Sequence, residues 1–176
     1  MRFHQHVISW KLLFIIVCIA VLLGCQPFGA MSRFGSIQPQ RLLMIPQQGP
    51  LHITWEARHL TVACKGTVRK NTLTINGTIR ITGGGIQHFS TLDRLVVHLY
   101  YAKASGRVLD RRNLYAVSNA SIEDGLPFAF TRRFELPKGT THIAFGYDGK
   151  AREGAARVFR KKGDAVEHPF QHSPFR

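Results

Sequence analysis

The residues best suited to chemistry in this 176-residue chain are its cations, 24 Lys and Arg against 10 Asp and Glu. Lys65, Thr67 and Arg69 alternate along a segment of strand periodicity with Lys70 beside them, and Arg132-Arg133 is an adjacent pair. Guanidinium groups hold phosphate or carboxylate bidentately, so Lys65, Arg69, Lys70, Arg132 and Arg133 are candidate anion-binding residues. Exposed strands also carry Lys and Arg to discourage edge-to-edge association, which is the competing explanation. Other chemistries have less footing. A zinc site needs three or four converging ligands, and His52, His59, His88, His98, His142, His168 and His172 form no close ligand motif. Pro169 and Pro174 oppose the helix that would align His168 with His172. No Gly-x-Ser-x-Gly elbow is present. Glu123-Asp124 before Gly125 reads as a polar turn. Asp93, Asp110 and Glu135 stand alone on strands, where pairing with Arg is their ordinary use. Gly83-Gly84-Gly85 lacks the Lys and helix of a phosphate loop. No catalytic residue, metal ligand or cofactor is assigned, and the chain reads as non-enzymatic.

The three cysteines offer no disulfide framework. Cys18 lies inside the apolar run Leu12 to Leu23, Cys25 ends it, and Cys64 stands alone in the rest of the chain. Residues 60, 62, 64, 66 and 68 share one strand face, and Leu60, Val62 and Val68 make that face apolar, so Cys64 is expected in the core. Residues 1–24 have the parts of a secretory signal: a basic start with Arg2 and Lys11, an apolar run and a small residue, Gly24. The run is too short for a bilayer core of ~30 Å, which takes about 20 apolar residues. Its ending, Leu22-Leu23-Gly24-Cys25, resembles a bacterial lipoprotein lipobox. That resemblance implies cleavage before Cys25, acylation of its thiol and a bacterial cell-envelope location. Gln26, in place of an Asp, implies the periplasmic face of the outer membrane. Without Arg2 and Lys11, 22 basic residues still face 10 acidic ones. Such a field draws anionic partners, and outside the cytoplasm these are acidic lipids, glycans and proteins. Nucleic acid is not expected.

The elements that must position these residues are strands. Residues 25–50 read as a lipidated flexible tether, because twelve of positions 26–50 are Gln, Pro or Gly. As a coil it would reach ~25–30 Å. Within it, Arg41 to Ile45 could dock as an edge strand before Pro46. From Leu51 the period is two: Leu51, Ile53, Trp55 and Ala57 alternate, then Leu60 to Val68, then Leu73 to Ile81 after a Lys70-Asn71 turn. Leu95 to Tyr101, Val108 to Val117 past Gly106, Phe128 to Leu136 and Ile143 to Tyr147 continue it. Asp148-Gly149 signals a turn, with a weaker strand near Ala155 to Phe159. The spacing predicts an all-β domain over 51–160, an antiparallel β-sandwich of about 7–8 strands, with a small β-barrel as the alternative. Residues 161–176 read as a basic tail, disordered alone, that orders on a partner.

Thr74 to Ile81, Val97-His98-Leu99-Tyr100-Tyr101, Ser105-Gly106-Arg107-Val108-Leu109 and Leu136-Pro137-Lys138-Gly139 succeed one another in an order similar to small immunoglobulin-like envelope domains of the FxLYD type. That resemblance covers about residues 72–146 and implies a scaffold, not an activity. The function expected is therefore a lipid-anchored binding or accessory module of the envelope. A binder of anionic lipid or glycan is the first alternative, and a small-ligand carrier with a barrel pocket the second.

Overall fold

The computed structural model describes residues 35–83, 89–122, 127–152 and 167–175. Cys25, the Leu12 to Leu23 run, Glu123-Asp124 and the Ala155 to Phe159 segment lie outside the described residues. The expected antiparallel β-sandwich is observed. Strands β2 (Gly49–Glu56), β3 (Leu60–Arg69), β4 (Thr72–Ile81) and β7 (Phe128–Glu135) form a four-stranded sheet in that order. The second sheet has five strands, β1 (Leu43–Met44), β8 (His142–Arg152), β5 (Thr91–Ala102) and β6 (Val108–Ser121) in that order, with β9 (Glu167–His172) also paired to β8. Among the described residues the two sheets do not close into a barrel, so the described strands enclose no barrel lumen. Constant immunoglobulin domains place the second and third strands in opposite sheets, whereas β2, β3 and β4 run as a meander within one. The two-residue Lys70-Asn71 turn is the reason, because it reverses the chain beside itself and does not span the ~10 Å between sheets. Lys70 takes the left-handed conformation there, at φ 56°. Asn71 Nδ2 donates to the Leu136 carbonyl at 2.7 Å, tying the turn to the end of β7.

Period-two alternation builds the core from both inner faces. Leu60, Val62, Cys64 and Val68 of β3, with Leu73, Ile75 and Ile79 of β4, meet Leu95, Val97, Leu99 and Tyr101 of β5 and Ile143, Phe145 and Tyr147 of β8. Each such side chain stabilises the fold by roughly 1.5–3 kcal/mol relative to exposure. Trp55 on edge strand β2 stacks on Phe145 of β8, ring centroids 5.4 Å apart, joining the two sheets. Cys64 lies in this core as expected, and burial pushes its thiol up to about 11.

Burial of Cys64 is measurable in two ways. A thiol raised from 9.0 to about 11 holds ~100-fold less thiolate near pH 8, and thiolate is the nucleophile. Peptide-resolved alkylation at pH 8 should therefore modify native Cys64 at least ~100-fold more slowly than the urea-unfolded chain. Because the folded value is the higher one, the neutral thiol's contribution is full below pH 9 and is lost as pH rises toward 11. Wild type should lose more urea resistance over that interval than Cys64→Ala. Equal losses would place the thiol outside the core.

Three expectations are corrected. The segment before Gly49 is not a free tether throughout: Ser36 bridges Arg107, Ile37 bridges Phe175, and a 3-10 turn spans Pro39–Arg41 before β1. Ile37 and Ile45 are buried, so a few spaced apolar residues anchor a stretch whose average composition is polar. The tail is likewise structured in part, since β9 pairs with β8 and Phe170 is buried. Asp148-Gly149 is no turn, because β8 runs straight through it. Gly149 serves another need: a Cβ there would lie 2.3 Å from the Phe170 ring, which covers the bare backbone.

Candidate anion-binding face

The outward face of the four-stranded sheet gathers most of the predicted cations. Register places His52 opposite Lys65, Lys65 opposite Asn76 and Asn76 opposite Thr131, one row across all four strands. The next row runs Pro50, Thr67, Thr74 and Arg133, and the one beyond holds Arg69, Thr72 and Glu135. Neighbouring strands are ~4.8 Å apart and alternate residues ~7 Å, so Lys65, Arg69 and Arg133 are spaced about 12–14 Å apart. All three are exposed, and their side chains carry no hydrogen bond or ion pair among the described residues. Among the described residues, Glu56 and Glu135 are the carboxylates of this face. Within the His52 row a shallow concavity of about 380 Å³ opens over Ala63 and Gly77, walled by His52, Thr54, Lys65 and Asn76. Its floor is the short side chain of Ala63 and the bare backbone of Gly77.

Arg132 does not join this face. Adjacent residues of a strand point to opposite sides, and Arg132 pairs with core-facing Ile75, placing it on the inner side of edge strand β7. It remains exposed, and its charge acts on Tyr115. An inward-facing cation on an edge strand discourages sheet extension. Lys70 sits at the end of the sheet, in the turn. The arginine pair is therefore split, and His52, Asn76 and Thr131, absent from the sequence-derived set, take its place beside Lys65. Only the pairing register reveals those three.

The five-stranded sheet presents a different outer face. Arg94 donates to Asp148 at 2.5 Å, Asp148 lies 2.8 Å from His98 Nε2, and His98 Nδ1 lies 3.0 Å from the Asn113 amide oxygen. The ionic partners are satisfied within the chain. Beside them, Ile37, Leu42 and Phe175 cover Tyr100, Val108 and Ala144. Asp93 pairs with Arg152 across strands and Asp110 with Arg112 along one strand, both at 2.8 Å, pairs worth ~0–1 kcal/mol when exposed. On the side closed by β9, His59 Nδ1 and the Tyr147 hydroxyl stand 2.6 Å apart. His172 stacks on Tyr147 there. Burial first, then the Arg41 charge, lowers the His172 pKa below its usual value.

No three of His, Cys, Asp and Glu among the described residues converge on a metal position. No helix among them is long and apolar enough to cross a membrane. No protein-family model, curated protein sequence or solved structure matches the chain.

Proposed function

We propose that this protein is a non-enzymatic, lipid-anchored module of the bacterial envelope that holds a phosphorylated or carboxylated glycan on its four-stranded sheet. The observation that carries the reading is the His52–Lys65–Asn76–Thr131 row with its concavity, with Arg133 in the adjacent row and Arg69 in the row beyond. Unpaired cations supply charge-assisted hydrogen bonds to acid groups, while the Thr and Asn side chains between them suit sugar hydroxyls. Anchoring rests on the lipobox-like Leu22-Leu23-Gly24-Cys25. Two or three acyl chains hold a protein stably where one does not.

The test is binding of the full chain to polygalacturonate, with dextran as the neutral control. Binding to the acidic polymer alone is expected, weakening steeply between ~0.01 and ~0.15 M salt as the Debye length falls from ~30 to ~8 Å. Lys65→Glu and Arg133→Glu should each weaken it at least ~tenfold, since hydrogen bonds to charged groups contribute ~1.5–3 kcal/mol. Salt-independent binding, or equal binding to dextran, would refute the ligand class. For the anchor, Cys25→Ala should abolish palmitate incorporation; persistent labelling would refute acylation at Cys25.

A further inference from the structure

We propose that one end of the sandwich is a docking surface for anionic phospholipid headgroups, with Met44 entering the headgroup layer; this rests on the lipid-anchor reading above. The connections β1–β2, β3–β4, β5–β6 and β7–β8 all lie at this end, as antiparallel succession requires. Residues 45–48, 70–71, 103–107 and 136–141, which make them, include no Asp or Glu but contain Lys70, Lys103, Arg107 and Lys138. All four cations are exposed. Glu135, the last residue of β7, directly precedes the last of these connections.

Between these connections opens a groove of about 560 Å³ whose apolar lining includes Met44, Ile45, Val68, Leu136 and Pro137. Met44 is 75 % exposed, and no other large hydrophobic among the described residues is exposed. An unbranched thioether on a groove that Lys70 also lines, with Lys103 and Lys138 on the adjoining connections, has the composition of an interfacial contact: an apolar element at the headgroup boundary and cations beside the phosphates. A glycan would not require the exposed Met44, which is why a lipid surface is the occupant. The path of the chain agrees. Ile37 donates its amide to the Gly106 carbonyl at 3.0 Å, so the chain passes the β5–β6 turn of this same end on entering the fold. Cys25 precedes Gly35 by ten residues, a reach of at most ~35 Å. An acyl chain on Cys25 thus holds this end within reach of the bilayer.

The experiment places an environment-sensitive dye at Met44→Cys in the full chain, with Lys65→Cys on the sheet face as the comparison. Each is reconstituted into phosphatidylglycerol-rich or phosphatidylcholine vesicles. In phosphatidylglycerol the dye at 44 should shift to the blue and be quenched by a lipid-borne quencher, while the dye at 65 stays aqueous. Lys70→Glu, Lys103→Glu and Lys138→Glu combined should cut the inserted fraction by ~100-fold in equilibrium constant, each cation near an anionic surface contributing about fivefold. These side chains are exposed and unpaired, so folding is not at stake. A dye at 44 as aqueous as that at 65 would overturn the docking surface, and equal insertion into phosphatidylcholine would overturn its dependence on anionic headgroups. Mass spectrometry of the Cys25 peptide separates the two readings. Acylation without insertion leaves the anchor and removes the docking, and insertion without acylation does the reverse.

Discussion

Gly77→Val should destabilise the domain by at least ~3 kcal/mol, the upper end of the range for overpacked positions. Gly77 lies mid-strand in β4, opposite Cys64 on one side and Phe130 on the other. A Cβ there would fall 2.3 Å from the Ala63 carbonyl oxygen, 2.5 Å from Cys64 Cβ and 2.7 Å from Cys64 Cα. Two of those atoms are backbone of β3, and no rotamer change moves them. Relief requires β3 and β4 to separate within a ladder of ten paired positions. Against a total stability of ~5–15 kcal/mol, the variant should show a greatly lowered urea midpoint by circular dichroism. Thr74→Val, exposed on the same strand, should stay within ~0.5 kcal/mol of wild type. A loss below ~1 kcal/mol for Gly77→Val would mean the two strands do not approach so closely.

Phe145→Ala should cost ~3–5 kcal/mol, combining the lost transfer energy with the cavity left behind. Phe145 is 1 % exposed and lies between the sheets, where it stacks on Trp55 at an interplanar angle of 28°. That contact links an edge strand of one sheet to β8 of the other. A double-mutant cycle with Trp55→Ala, read from chemical denaturation, should return a coupling of ~0.5–1.5 kcal/mol for the aromatic pair. Additive losses would show that the rings do not pack on one another.

The strands from Leu51 to Ile81 are legible because their alternation is a local property: successive side chains leave the backbone on opposite sides. The inward direction of Cys64 comes from the same parity, whereas the docking of Leu43-Met44 is legible from another local signal, a short apolar run that Pro46 ends. Asp148-Gly149 misleads because a dipeptide common in turns is used here for a distant reason. Phe170, some twenty residues later, needs the space a side chain would fill. The 25–50 stretch misleads because composition averages over Ile37 and Ile45, the two residues that hold it down. Arg132 and Arg133 are adjacent in the chain and so read as one anion clamp, yet the parity that serves Cys64 already puts them on opposite faces.

By itself, the sequence determined the β class, the excess of positive charge, the core face of β3 and the lipobox-like ending at Cys25, all properties of neighbouring residues. Only the tertiary structure decided that β3 lies between β2 and β4, that β7 lies beside β4, and hence that His52, Lys65, Asn76 and Thr131 stand in one row. The physical reason is that alternation is set by each strand's own backbone. Which strands become neighbours, and in what register, is set by turn geometry and by the packing of one sheet against the other over long chain separations.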